Sequence, residues 1–200
     1  MRLLAIETAT SVCSVALFED GTLIDFAHEP VGRGHAERLL PMIAALDDGG
    51  RADAILVDVG PGSFTGIRVG IAAARALGFG WNARVDGFAS LALIAAIDGG
   101  KPDTVVAIEG GHGELFVGRY DPQGRVLNPP RSLPFPTAVD EIREHRVIGN
   151  AAARLVEARG FGDAADVSPD ARHCGSIAAG LPPVPLYGRG ADAKPMAIPC

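Results

Sequence analysis

Hydroxyl, glycine and basic residues gather in one run, Gly60-Pro61-Gly62-Ser63-Phe64-Thr65-Gly66-Ile67-Arg68-Val69-Gly70. It follows the apolar stretch Ala54–Val59, which reads as a buried strand, and precedes Ile67–Phe79, which reads as a helix. A glycine-rich turn from strand to helix leaves backbone N–H groups free at a helix N-terminus, where an anion is favoured. Gly60-x-Gly62-x-x-x-Gly66 is one residue too long for a dinucleotide fingerprint. No Gly-Lys-Ser/Thr follows, and the nearest basic residue is Arg68, so this is not a Walker A loop. Ser63 and Thr65 have two readings, as phosphate contacts or as caps of the helix N-terminus. Glu7, at the end of the apolar run Leu3–Ile6 and followed by Thr8, is either a metal-handling carboxylate or a turn residue. Glu7, Thr8, Gly62 and Ser63 form the candidate phosphate or metal set.

Catalysis of other kinds lacks residues. The histidines are His28, His35, His112, His145 and His173, and no two are closer than seven residues. That removes HExxH and any local pair of imidazoles on one helix face, and with them a metalloprotease. His35, near a helix start, reads as a structural hydrogen-bonder. No catalytic residue, metal ligand or cofactor is assigned.

The helix leaving the turn carries a second signal. Gly66, Gly70, Ala74 and Gly78 recur every four residues, so they stack into a ridge with almost no side chains. Each interior glycine costs a helix about 1 kcal/mol relative to alanine, which close approach of another element can offset. That element is either the chain's own sheet or a helix of a second subunit. Arg68 and Arg75, seven apart, share a face and either cross an interface or are solvated. The earlier helix, His35–Leu46, puts Leu39, Met42, Ile43 and Leu46 on one side, and Pro41 predicts a kink or restart within it.

Composition sets bounds. Of 200 residues 48% are hydrophobic and 21% charged, enough to fill a core, and the net charge of −6 disfavours a broad grip on nucleic acid by this chain alone. No apolar run approaches the roughly 20 residues that span a membrane. Cys13, Cys174 and Cys200 form no CxxC, which predicts a reduced, cytoplasmic protein, with Cys13 a small buried hydrophobe.

Leu3–Ile6, Val12–Phe18 and Thr22–His28 read as an antiparallel meander, and the Ala54 strand and its helices add a parallel part. Phe88–Ile97 reads as a third helix. The break Asp98-Gly99-Gly100-Lys101-Pro102-Asp103 predicts two units, 1–99 and 100–200. The opening then returns: Leu4-Ala5-Ile6-Glu7 reappears 102 residues on as Val106-Ala107-Ile108-Glu109, and Val15–Glu19 reappears as Val117–Asp121. The expected fold is α/β, two tandem lobes each with a mixed sheet, an antiparallel meander and flanking helices. Pro129–Pro136 reads as an extended loop, Ala171–Ala179 as a short helix, and Pro185-Leu186-Tyr187 as an edge strand before a tail.

Two such lobes resemble the actin, Hsp70 and sugar-kinase superfamily with its ribonuclease H-like lobes. Closer motifs resemble the TsaB (YeaZ) family: Ala5-Ile6-Glu7-Thr8-Ala9-Thr10, then His35-Ala36-Glu37-x-Leu39-Leu40-Pro41, then the Gly60–Gly70 run, then Pro185-Leu186-Tyr187-x-Arg189 with Asp192-Ala193. The resemblance implies a non-catalytic partner subunit in forming N6-threonylcarbamoyladenosine at position 37 of tRNAs that read codons beginning with A. It implies pairing with a TsaD-like catalytic subunit, or with itself as a homodimer. A TsaE-like ATPase and tRNA would be met through the complex. It places the contact on the helices carrying His35, Leu39, Met42, Ile43, Gly66, Arg68, Gly70, Ala74, Arg75 and Gly78. The catalytic paralogue's two histidine positions fall here on Gly87 and Leu91, neither of which binds metal. The second hairpin departs from the family's Asp-Ala-Arg with Glu109-Gly110-Gly111-His112. The alternative is a small ATP-dependent phosphotransferase using Glu7 and the glycine turn.

Overall fold

In the computed structural model the structure describes residues 1–99, 104–121, 125–177 and 180–187. The first lobe runs β1 (Arg2–Glu7), β2 (Val12–Glu19), β3 (Thr22–Pro30), α1 (His35–Ala45), β4 (Ala54–Asp58), α2 (Phe64–Trp81), β5 (Arg84–Phe88) and α3 (Ser90–Ile97). The second runs β6 (Thr104–Gly111), β7 (Glu114–Tyr120), β8 (Val126–Pro134), α4 (Phe135–Glu141), β9 (Arg146–Ile148), α5 (Ala152–Arg159) and β10 (Asp163–Ala165), then a 3-10 turn at Ala171–Ser176.

The two sheets have one topology. Their orders are β3-β2-β1-β4-β5 and β10-β9-β6-β7-β8. In each, three strands form an antiparallel meander and two more add in parallel to its first strand. The repeat at 102 residues is therefore a repeat of structure. The β2–β3 hairpin turns at Asp20 and Gly21, both at positive φ (49° and 80°), the conformation that an Asp-Gly pair adopts at low cost.

β2 is buried on both faces. Cys13, Val15 and Leu17 point to α1 and α2, whose Leu39, Met42, Ile43, Ile67 and Ile71 complete that core. Ala16 and Phe18 point the other way, onto Phe88, Leu93, Ala171 and Cys174. α3 lies between the lobes: Leu93 faces the first sheet while Leu91, Ala92, Ile94 and Ala95 face the second. A helix held between two sheets must be apolar all round, as Ser90–Ile97 is.

Several local expectations are corrected. Of the kink or restart expected at Pro41, the restart does not occur, since α1 runs through it. Pro129 and Pro130 lie in β8, an edge strand, where a missing N–H costs no ladder bond. Arg84–Phe88 is a full strand, so α3 starts at Ser90. Pro185–Tyr187 forms no regular strand, and the sheet-like pairing falls instead on a bridge from Leu181 to Gly87. Residues 171–177 and 180–187 return to the first lobe instead of staying with the second. The part of the expected boundary at 100–103, the end of the expected Ala171–Ala179 helix, Arg189, Asp192-Ala193 and the tail lie outside the described residues. Among the described residues no helix is long and apolar enough to cross a membrane.

Candidate functional site

Parallel pairing sets Ile6 beside Val57, so the next residues, Glu7 and Asp58, end adjacent strands on the same face. Both are fully buried. One Glu7 oxygen accepts the Ala9 N–H at 3.0 Å. One Asp58 oxygen accepts the Gly60 N–H and the Ser90 hydroxyl, each at 2.7 Å. The remaining oxygens, Glu7 Oε1 and Asp58 Oδ2, are buried without a donor. Burial and then the neighbouring Asp58 push the Glu7 carboxyl well above the usual range, against donors on Ala9 and Thr10. Burial pushes Asp58 up to about 7. The sequence reading singled out Glu7 but not Asp58. Its signal was the acidic end of an apolar strand, readable only once the β1–β4 register is known.

The glycine turn is welded onto β1. The Ser63 N–H donates to the Ala9 carbonyl at 2.6 Å, and the Thr8 hydroxyl donates to the Gly66 carbonyl at 2.8 Å. A Cβ on Gly62 would overlap the Ala9 carbonyl oxygen, and one on Gly66 the Thr8 carbonyl oxygen. The Ser63 hydroxyl accepts the Gly66 N–H at 3.2 Å, which makes it the N-cap of α2. Thr65 is exposed in the first turn. Thus Glu7, Thr8, Gly62 and Ser63 do come together, but as a packed joint between strand and helix.

Beside Glu7 in register stands Ser14. Its hydroxyl lies 3.3 Å from His28 Nδ1 and accepts the Ala171 N–H at 3.0 Å, while Asp170 Oδ2 lies 3.6 Å from the same His28 nitrogen. Serine, histidine and aspartate are grouped here, yet a hydrolytic relay needs the serine and the aspartate on opposite ring nitrogens. Ser14 is also fully buried, and Asp170 is taken by the Arg172 guanidinium at 2.9 Å. Among the described residues no group of three His, Cys, Asp or Glu is placed to hold a metal ion.

The small-residue ridge faces inward. A Cβ on Gly70 would overlap the Thr8 hydroxyl, one on Gly78 would meet Val85 Cγ2 at 2.5 Å, and Ala74 is fully buried. Of the two elements able to sit in that groove, the chain's own sheet occupies it. His35, Leu39, Met42 and Ile43 are likewise core residues, His35 Nε2 lying 3.0 Å from the Val12 carbonyl. Eight of the ten residues expected at a partner contact therefore point into the first lobe, because the apolar stripe that marks a helix also buries it. The exceptions are Arg68 and Arg75, both exposed. Arg68 covers the Phe64 ring at 3.5 Å and donates to the Tyr187 hydroxyl at 3.0 Å.

What α1 and α2 show to solvent is a different set, missed because sequence periodicity selects the buried side. Ala36, Leu40, Pro41 and Ala44 are exposed on α1, and Ala72, Ala76 and Phe79 on α2. The two helices touch and cover the same face of the sheet. Leu40 is 52% and Phe79 93% exposed, Phe79 the most exposed large apolar side chain among the described residues. In the second lobe the Glu109-Gly110-Gly111-His112 departure builds a tight hairpin. Gly111, His112 and Gly113 all have positive φ, and Glu109 pairs with Arg154 at 3.0 Å.

The family model for TsaD, tRNA N6-adenosine threonylcarbamoyltransferase, matches residues 27–151. The Escherichia coli tRNA threonylcarbamoyladenosine biosynthesis protein TsaB is 38% identical over 128 residues, 60% of this chain and 55% of that protein. The chain thus spans about half the length of the curated TsaB relatives it matches. A Mycobacterium tuberculosis protein without an assigned function is 33% identical over 208 residues, covering 98% of this chain and 95% of that one. The crystal structure of YeaZ from Pseudomonas aeruginosa superposes with a TM-score of 0.77 at 27% identity, covering 93% of this chain and 99% of that chain. Duplicated lobes, the welded glycine turn and these matches together show that the chain belongs to the TsaB (YeaZ) family.

Proposed function

We propose that the chain is a non-catalytic partner subunit in the synthesis of threonylcarbamoyladenosine on tRNA. In this reading it docks and activates a TsaD-type catalytic subunit in the cytoplasm and meets tRNA and a TsaE-type ATPase only through that complex. The observation that carries it is a contrast between two surfaces. The place where a superfamily enzyme would work, at the ends of β1 and β4, is closed by the chain's own residues, with Glu7 and Asp58 fully buried. The outer face of α1 and α2 instead offers Leu40, Ala44, Ala72, Ala76 and Phe79 to solvent. A net charge of −6 supports a protein partner over direct binding of RNA. In this reading the lobes divide at 99 and 100, residues 171–177 and 180–187 pack back on the first, and docking belongs to the first.

Co-expression with a TsaD-type protein tests this. A complex should elute on gel filtration, and threonylcarbamoyl transfer to tRNA should need both chains. Activity of the isolated chain, or no complex with any TsaD-type protein, would overturn it. A homodimer through the same face is the second occupant, and the partner should displace it. The phosphotransferase reading predicts sub-millimolar binding of ATP·Mg²⁺ that Glu7→Ala abolishes. The sealed position of Glu7 predicts no such binding.

A further inference from the structure

Residues Gly180–Tyr187 cross the carboxyl ends of β4 and β5, the region of an open α/β sheet that usually receives a ligand. The Gly87 N–H donates to the Leu181 carbonyl at 2.7 Å, and the Leu181 N–H returns a bond to Gly87 at 3.1 Å. The Leu186 N–H donates to the Val59 carbonyl at 2.7 Å. A Cβ on Gly60 would meet the Leu186 carbonyl oxygen at 2.8 Å. Tyr187 stacks on Phe64, ring centroids 5.5 Å apart. The chain thus lays a strap over its own crevice, held by a few isolated bonds where the neighbouring strands have full ladders.

Asp58 is the keystone beneath it. The oxygen that takes the Gly60 N–H and the Ser90 hydroxyl fixes the turn, and Ser90 N–H closes back on the Gly60 carbonyl at 3.1 Å. The strap is anchored one residue away, on Val59. Glu7 is the register neighbour, and both carboxyls carry one buried oxygen with no donor. The other titratable groups near the pair are Cys13 of β2, which feels the Glu7 charge, Cys174 of the 3-10 turn, which feels both, and Tyr120 of β7, which feels Asp58. Beyond Ser14 lie His28 of β3 and Asp170, and Ser90 of α3 and Thr8, which follows β1, do not titrate. The influences on the pair are burial, the Asp58 charge on Glu7, and neutral donors.

We propose that the strap and the Glu7–Asp58 pair form one proton-controlled switch, in which the strap stays docked while the pair holds a proton and lifts when both carboxyls are ionised. Two adjacent buried charges without a cation are relieved by water, and the strap is tied to the turn that Asp58 fixes, through the Leu186 N–H on the Val59 carbonyl and the Leu186 carbonyl against Gly60. The sign follows from linkage. A carboxyl raised in the folded state keeps a proton that the unfolded chain has lost, so its stabilising effect is present below about 4 and declines as pH rises through the folded value. For Asp58 that value is about 7.

Hydrogen exchange on the full chain tests the switch, corrected for intrinsic base catalysis. Between about pH 6 and about pH 9 the amides of Gly87, Leu181 and Leu186 should lose protection by about tenfold or more, while those of Val15 and Leu17 in β2 hold. Asp58→Asn and Glu7→Gln each remove one of the two charges, so the loss should vanish. Equal loss in wild type and variants, or none in wild type, overturns the proposal. Should neither variant fold, carboxyl carbon NMR on the wild type decides. A protonated Glu7 or Asp58 at about pH 6 sustains the switch, and two ionised carboxylates with the strap docked end it.

Discussion

Thr8 and Gly70 are in direct register across the joint between β1 and α2: the Thr8 hydroxyl occupies the space that a Cβ on residue 70 would fill. The same hydroxyl donates to the Gly66 carbonyl one turn earlier. Glycine at 70 therefore belongs to the fold. Gly70→Ala should lower stability by about 1–3 kcal/mol, the usual range for overpacking, and Gly70→Leu by more. Gly80, in the last turn of α2, has nothing within 4 Å of an added Cβ. Gly80→Ala should be neutral or stabilising by up to about 1 kcal/mol. Thermal melts of the two alanine variants check the contrast, and equal melting temperatures would refute the packing account.

Ser63 separates a cap from an anion site. As N-cap of α2 it accepts the Gly66 N–H, so Ser63→Ala should cost about 1 kcal/mol while Ser63→Asp restores the loss. An anion contact would behave oppositely, since an aspartate there would repel a phosphate. Denaturant melts of the three proteins, with and without phosphate, read this directly. A phosphate-dependent rise in midpoint that Ser63→Asp removes would contradict the cap.

The architecture was legible to a large degree, and the reason is the duplication. The return of Leu4–Glu7 at Val106–Glu109 predicts the β6–β7 unit, and alternation places β1 and β2. The site was less legible. Glu7 stood out as an acid after an apolar run, but its partner Asp58 lies 51 positions away in the chain and is joined to it only by strand register. The exposed side of α1 and α2 was hidden for a related cause. Leu39, Met42 and Gly70 are conspicuous because they are periodic, and periodicity reports the side of a helix that its own sheet covers. Leu40, Ala72 and Phe79 break no pattern, and only exposure separates them from the core.

Cys13 and Cys174 give a prediction on chemistry. Both are buried. Burial pushes the Cys13 thiol up to about 12 and the Cys174 thiol well above its ordinary value. The thiolate is the reactive form, so at pH near 8 both should be modified by a disulfide reagent no faster than the chain unfolds globally. Peptide mapping after timed labelling checks it. Rapid labelling of Cys174 in the folded chain would show that the 3-10 turn leaves the first sheet far more readily than its packing implies.

The exposed face of α1 and α2 yields the sharpest functional prediction. Phe79 is 93% exposed and packs on nothing that would stabilise the free chain, and Leu40 is 52% exposed on the adjoining helix. Phe79→Asp and Leu40→Asp should therefore leave unfolding free energy within about 0.5 kcal/mol of the parent. If this face holds the catalytic subunit, each should weaken the complex by about tenfold or more, because apolar anchors at the centre of an interface carry much of its energy. Arg84→Ala, on β5 away from that face, is the control and should bind as the parent does. Calorimetric titration of each variant with a TsaD-type protein, beside its thermal melt, gives both quantities. Unchanged affinity in both aspartate variants would move the partner contact off these helices, whereas parallel losses of affinity and stability would return Phe79 and Leu40 to a structural role.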